Sequence, residues 1–249
     1  MTDWEVRWHP APGARIRLLC LPHAGGGALA YRAWARALAP DIEVVAIRLP
    51  GRESRFREEP FSRLGDLVPG LVKDLAPLLA EPHAWFGHSM GALIAFEACR
   101  ASRALGLGRA RRLLVSGRPA PHLPLRGAPV HAAPMADLVA RLRANGGTPD
   151  EVLEDDVAMA ALLPMLRADY SVAETYAHRP DEPLDCPLSV FGGEQDPLVT
   201  PQELAAWRRH SARGCTVRTY PGGHFYLHEE PAPLLRVIES DLLQGEHCE

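Results

Sequence analysis

Short apolar runs recur along the chain at 16–21, 42–47, 84–86, 113–116, 188–191 and 217–220. Their length and bounding turn residues predict buried strands. Helical spacing fills most of the gaps. Leu64, Leu67, Val68, Leu71, Val72, Leu75, Leu78 and Leu79 follow the 3.6-residue period. Pro69 and Pro77 interrupt that stretch, which predicts a kink or a late helix start. Helices are also expected over 90–105, 202–210 and 231–243. Strands alternating with helices predict an α/β fold: a mostly parallel central sheet with right-handed crossovers, flanked by helices.

One region breaks this rhythm. From about 118 to 187 no strand pattern appears, and Pro119, Pro121, Pro124 and Pro129 form an extended lead-in. Met135, Leu138, Val139 and Leu142 then mark an amphipathic helix ended by Asn145-Gly146-Gly147. A second helical pattern runs over about 155–176, interrupted at Pro164. The expected organisation is a core over 1–117, a helical insertion over 118–186, and the rest of the core over 187–249. Such an insertion reads as a packed subdomain and, compatibly with that, as a lid at the carboxyl ends of the strands, where ligands bind in open α/β folds. Met135, Leu138, Leu142, Met159, Leu162 and Met165 are its candidate pocket residues; the alternative is that they form its own core.

Composition narrows the class. With 249 residues, 47% hydrophobic and 23% charged, the chain has the balance of a globular enzyme that needs no disulfides. A net charge of -4 argues against nucleic-acid binding. Cys20, Cys99, Cys186, Cys215 and Cys248 are scattered without a C-x-x-C pair, so reduced thiols are expected. The segment Met1–Arg7 has no apolar core for a signal peptide, and no apolar run reaches the ~20 residues of a membrane span. A cytoplasmic protein is expected, with a monomer as the default.

The chemistry concentrates at Gly87-His88-Ser89-Met90-Gly91, between a short apolar run and a small-residue helix pattern. Gly-x-Ser-x-Gly in that context is a nucleophile elbow, a tight turn that projects the serine hydroxyl from the sheet. A serine needs a base, and the base needs a carboxylate that fixes its tautomer. In elbow enzymes these follow in the order Ser, acid, His. Asp196 follows the apolar run at 188–191, and His224 follows the run at 217–220 and the turn Pro221-Gly222-Gly223. Ser89, Asp196 and His224 are therefore the expected triad. The backbone N–H of Met90, at a helix N-terminus, is one oxyanion donor. The second is expected from Pro22-His23-Ala24-Gly25-Gly26-Gly27, with Ala24 N–H as the choice. That glycine run lacks the spacing of a phosphate-binding loop. His88 reads as a packing or hydrogen-bonding residue, and His23 as either structural or polarising the oxyanion loop. His224 and His228 are spaced i, i+4 but lack His-Glu-x-x-His, so no metal is expected.

These segments resemble the type II (discrete, editing) thioesterases of polyketide and nonribosomal peptide biosynthesis, members of the α/β-hydrolase superfamily. The resemblance runs from about Leu18 to His228. It rests on Leu21-Pro22-His23-Ala24-Gly25-Gly26, Leu49-Pro50-Gly51-Arg52-Glu53, the Ser89 elbow, Phe191-Gly192-Gly193-Glu194-Gln195-Asp196 and Gly222-Gly223-His224-Phe225. More specific are Gly146-Gly147-Thr148-Pro149 and Leu163-Pro164-Met165-Leu166-Arg167-Ala168-Asp169 within the insertion. The resemblance implies an α/β-hydrolase fold with a helical lid. It also implies hydrolysis of acyl thioesters from the phosphopantetheine arm of an acyl or peptidyl carrier protein, clearing stalled or aberrant groups. No cofactor is implied beyond the phosphopantetheine of the substrate. Arg48, Arg52, Arg55 and Arg57 form a basic cluster that would suit an acidic carrier. The rival readings are a carboxylesterase or acyltransferase on the same fold, or a non-catalytic carrier-binding partner.

Overall fold

The computed structural model describes residues 3–243. Seven strands among them form one sheet in the order β1-β3-β2-β4-β5-β6-β7. They are β1 (Glu5–Val6), β2 (Ile16–Leu21), β3 (Ile42–Ile47), β4 (His83–His88), β5 (Leu113–Ser116), β6 (Leu188–Gly193) and β7 (Cys215–Tyr220). All neighbouring pairs are parallel except β1 with β3. The helices are α1 (Arg32–Ala37), α2 (Leu64–Leu79), α3 (Met90–Ala104), α4 (Met135–Asn145), α5 (Asp150–Leu153), α6 (Asp156–Glu174), α7 (Pro201–Ala205), α8 (Tyr226–Glu229) and α9 (Pro231–Leu243). None of the described helices is long and apolar enough to cross a membrane.

The central strands are buried on both faces, which is why they read as near-continuous apolar runs. Strand alternation divides their side chains between two cores. Leu19, Leu21, Val45, Trp85 and Val115 pack with α2 and α3. Leu18, Cys20, Val44, Phe86 and Leu114 pack with α1 and α9 on the other face.

Helix α2 differs from expectation. It starts at Leu64 and runs unbroken through Pro69 and Pro77. Both prolines are exposed, while eight apolar residues from Leu64 to Leu79 are buried. Burial at about 1.5–3 kcal/mol per large side chain outweighs about 3 kcal/mol for each interior proline. Helix α6 likewise crosses Pro164 without a break, anchored by Asp155, whose carboxylate accepts the Val157 and Ala158 N–H groups. The helix expected over 202–210 divides into α7 and a 3₁₀ turn, Ala206–His210. Cys20, Cys99, Cys186 and Cys215 are free thiols; Cys248 lies outside the described residues.

Candidate active site

The carboxyl ends of β2, β4, β5, β6 and β7 converge on one cavity of about 350 Å³, lined by Ala24, Ser89, Met90, Gly117 and His224 among others. Ser89 lies between β4 and α3 with φ 55 and ψ -113, a backbone state rare for any residue with a side chain. Such strain persists only where surroundings enforce it. Here the Ser89 N–H is held by the Ser116 carbonyl at 2.8 Å. The flanking glycines permit the turn because backbone passes close to each. A Cβ on Gly87 would lie 2.1 Å from the Gly91 carbonyl oxygen, and one on Gly91 2.3 Å from that of Leu21. A serine before a helix normally caps it, yet the Ser89 hydroxyl makes no capping bond and stands at the cavity instead.

Asp196 and His224 meet across the ends of β6 and β7. The two loops are laced together by Glu194 N–H to Tyr220 O at 2.8 Å, Gln195 N–H to Gly222 O at 3.0 Å, and Gly222 N–H to Gln195 Oε1 at 2.6 Å. A Cβ on Gly193 would strike the Gly223 carbonyl oxygen at 2.2 Å, so these loops need a bare backbone at that crossing. His224 Nδ1 donates to Asp196 Oδ2 at 2.8 Å, and both side chains are almost fully buried. The Leu198 N–H holds the other carboxylate oxygen at 2.8 Å. With its proton on Nδ1, the ring leaves Nε2 free to accept one.

Met90 is the first residue of α3, so its N–H has no acceptor within the helix. On the facing loop the Gly25 N–H is taken by Asp169 Oδ2 at 2.7 Å. Ala24, the residue before it, lines the cavity with Met90.

His88 is fully buried against the His224 ring, with centroids 4.7 Å apart. Its Nδ1 pairs with Ser116 Oγ at 2.9 Å, and Ser116 Oγ pairs with the Tyr226 hydroxyl at 2.8 Å. Burial holds His88 well below the usual histidine range, so it presents an uncharged face to His224. His23 pairs with its neighbour's carbonyl, Ala24 O, at 2.9 Å and packs edge-on to Phe225; burial pushes it down to about 4. His210, in the separate cluster with His122 and His178, is also driven to about 4, first by burial and then by its histidine neighbours. A histidine whose folded pKa lies below its unfolded value of about 6.5 stabilises the fold fully above 6.5 and loses that contribution as pH falls toward the folded pKa. The unfolding free energy from urea titration should therefore fall between pH 7 and pH 5, by up to about 1.4 kcal/mol per pH unit for each such histidine. Most carboxylates titrate below that window; equal stability at the two pH values would contradict the assignment.

Of the six apolar residues singled out in the helical segment, Leu142 lines the cavity. It also belongs to a cluster formed by α4, α5 and α6, in which Leu138, Met159 and Met165 are buried away from the cavity, with Leu162 packed against it. Met135, 37% exposed, belongs to neither. The amphipathic stripe faces neighbouring helices, the commoner fate of such a stripe. The wall is completed by residues without an apolar pattern: Asn145, Tyr170, Ala173, Leu198, Val199 and Phe225. Gly147 explains part of the Gly-Gly-Thr-Pro segment. Its φ is +85, and a Cβ there would lie 2.4 Å from the Phe225 ring, beside His224.

Two of the four arginines of the basic cluster are engaged within the chain. Arg52 is buried, 5% exposed, and paired with Asp169. Arg55 is held by Glu58 and lies 4.5 Å over the Trp4 ring. Neither is a free docking charge. No local pattern joins Arg52 to Asp169, although both fall within distinctive segments.

Gly117 offers a local test. Its φ is +60, and a Cβ would lie 2.4 Å from His88 Cε1 and 3.1 Å from His224 Cε1. Gly117→Ala should displace both rings, lowering turnover and the unfolding midpoint together. Wild-type kinetics in this variant would contradict the packing described.

Fold and site together define an α/β-hydrolase-type enzyme with a serine elbow under a helical segment. Residues 16–242 match the thioesterase domain family, and the chain belongs to that family. The gramicidin S biosynthesis protein GrsT of Aneurinibacillus migulanus is 43% identical over 238 residues, covering 96% of this chain and 93% of GrsT. The type II thioesterase BorB from the borrelidin biosynthetic cluster superposes with a TM-score of 0.89 at 42% identity, over 97% of this chain and 99% of BorB. YbtT, the type II thioesterase of the yersiniabactin NRPS/PKS pathway, gives a TM-score of 0.88 at 30% identity, over 98% and 99% of the two chains. This chain is thus an enzyme of the thioester-hydrolysing class, similar to the type II thioesterases of polyketide and nonribosomal peptide pathways.

Proposed function

We propose that this enzyme removes acyl groups held as thioesters on the phosphopantetheine arm of a carrier protein in a polyketide or nonribosomal peptide assembly line, clearing stalled or aberrant intermediates. The observation that carries this reading is the buried His224–Asp196 pair opening onto the same cavity as the strained, uncapped Ser89. In the proposed reaction His224 Nε2 takes the Ser89 hydroxyl proton as Oγ attacks the thioester carbonyl. The Met90 and Ala24 N–H groups hold the resulting oxyanion, a contribution of about 10²–10³ in rate per donor. The C–S bond breaks, and His224 returns its proton to the departing sulfur, giving the free thiol. Water then loses a proton to His224 and attacks the acyl-Ser89 ester; as the ester C–O bond breaks, His224 passes that proton to Ser89 Oγ, releasing a carboxylic acid and the free serine. No step calls for a metal or a cofactor beyond the phosphopantetheine of the substrate.

Relatives named for gramicidin S, borrelidin and yersiniabactin biosynthesis support the assembly-line setting. The apolar wall of Leu142, Ala173, Leu198, Val199 and Phe225 suits an acyl chain. Leu142→Ala should extend the accepted chain by opening that wall, read as a shift of kcat/KM toward longer acyl groups; an unchanged chain-length profile would place the acyl group elsewhere. The substrate class itself is tested by comparing kcat/KM for one acyl group on a carrier protein, on free pantetheine and as a simple ester. The expected order has the carrier first. A preference for the free ester would point to a carboxylesterase on this fold.

A further inference from the structure

We propose that Arg52 and Asp169 form a positioning pair that sets the geometry of the Ala24 oxyanion donor and couples it to helix α6. The proposal rests on the reading above, in which Ala24 N–H receives the oxyanion. Asp169 lies on α6 and Arg52 on the loop after β3, 117 residues away in sequence. They meet in a two-pronged ion pair, Nη2 to Oδ1 at 2.7 Å and Nη1 to Oδ2 at 2.9 Å. Their side chains are 6% and 3% exposed.

The pair grips the loop that carries Ala24. Asp169 Oδ2 accepts the Gly25 N–H at 2.7 Å, while Arg52 Nη1 donates to the Gly26 carbonyl at 2.7 Å. Leu166, one turn earlier on α6, closes over Gly25, where a Cβ would lie 2.9 Å from its Cδ2. The peptide joining Ala24 to Gly25 is therefore fixed by a charge-assisted bond, and the orientation of Ala24 follows from it. A lone carboxylate beside a forming oxyanion would raise its energy; the guanidinium cancels that charge while keeping the acceptor in place. Tyr170 and Ala173, on the same helix, line the cavity. Displacement of α6 would thus move the cavity wall and the oxyanion loop together.

The variants Asp169→Leu, Asp169→Asn and Arg52→Lys test this, with kcat and KM on an acyl-loaded carrier, affinity for an alkylboronic acid, and thermal unfolding. The boronate adduct on Ser89 puts an oxygen where the oxyanion forms. Asp169→Leu should lower kcat by about 10- to 100-fold, with boronate affinity falling in parallel and KM little changed. Asp169→Asn should recover part of both losses, because its amide oxygen still accepts the Gly25 N–H. If Asp169→Leu fails to fold, Arg52→Lys reads the same property, since it keeps the charge but loses the fork. A lowered unfolding midpoint with kcat and boronate affinity intact would make the pair merely structural and overturn the proposal. Wild-type enzyme that leaves the carrier loaded would overturn the functional reading instead, and the boronate affinities would still decide the role of the pair.

Discussion

Ser89→Ala should reduce turnover by about 10⁶-fold, the scale of loss when a triad's nucleophile or base is removed. That corresponds to about 8 kcal/mol of barrier. The fold should hardly respond. The serine hydroxyl makes no helix-capping bond, and alanine inherits the same positive φ of 55 without a new contact. The expected result is thus a near-complete loss of rate with an unchanged unfolding midpoint and retained carrier binding. His224→Ala should match it in rate. Double replacement should add little, because the two act as a unit. A Ser89→Ala enzyme retaining a tenth of wild-type turnover would remove Ser89 from the mechanism.

The second large effect is Asp196→Asn, expected to cost about 10⁴ in kcat with KM nearly constant. The geometry gives the reason. Leu198 N–H holds one carboxylate oxygen, so the asparagine oxygen will stay on that donor. The amide nitrogen then faces His224 Nδ1, which is 2.8 Å from the present carboxylate. Two donors cannot share that contact, so the ring shifts its proton to Nε2 and can no longer accept one from Ser89. Steady-state kinetics on an acyl-carrier substrate reads this directly; a loss confined to KM would contradict the tautomer argument.

The parts of this protein that were readable from the chain are those with local signals. The Ser89 elbow, the ends of β6 and β7, and the alternating α/β rhythm all combine a short apolar run with an obligatory turn. The central strands were legible because a sheet covered on both faces leaves no polar alternation to confuse them. Strand β4 is longer than its apolar run suggests, because pairing of Gly87 with Leu21 and of His88 with Ser116 carries it into the elbow. Strand β1, two residues long, has no periodicity to detect. The prolines of α2 were misleading: local cost predicts interruption, whereas tertiary burial of the opposite face decides.

Non-local chemistry was the illegible part. Arg52 reads as a surface charge beside Arg48, Arg55 and Arg57, yet a partner 117 residues away draws it inside. The hydrogen-bonded chain Tyr226–Ser116–His88 joins separate elements and has no sequence spacing at all. The apolar stripe of the helical segment announces that a face is buried but not against what. Leu142 meets both the helical cluster and the cavity, while Leu138, on the same helix, meets the cluster alone.

The most direct test of the central claim is the intact mass of an acyl-loaded carrier protein after incubation with wild-type enzyme or with Ser89→Ala. With wild-type enzyme only, the carrier should lose the acyl mass and keep its phosphopantetheine. A carrier that stays loaded under wild-type enzyme while a simple aryl ester is cleaved would contradict the assignment of carrier-bound thioesters as substrate.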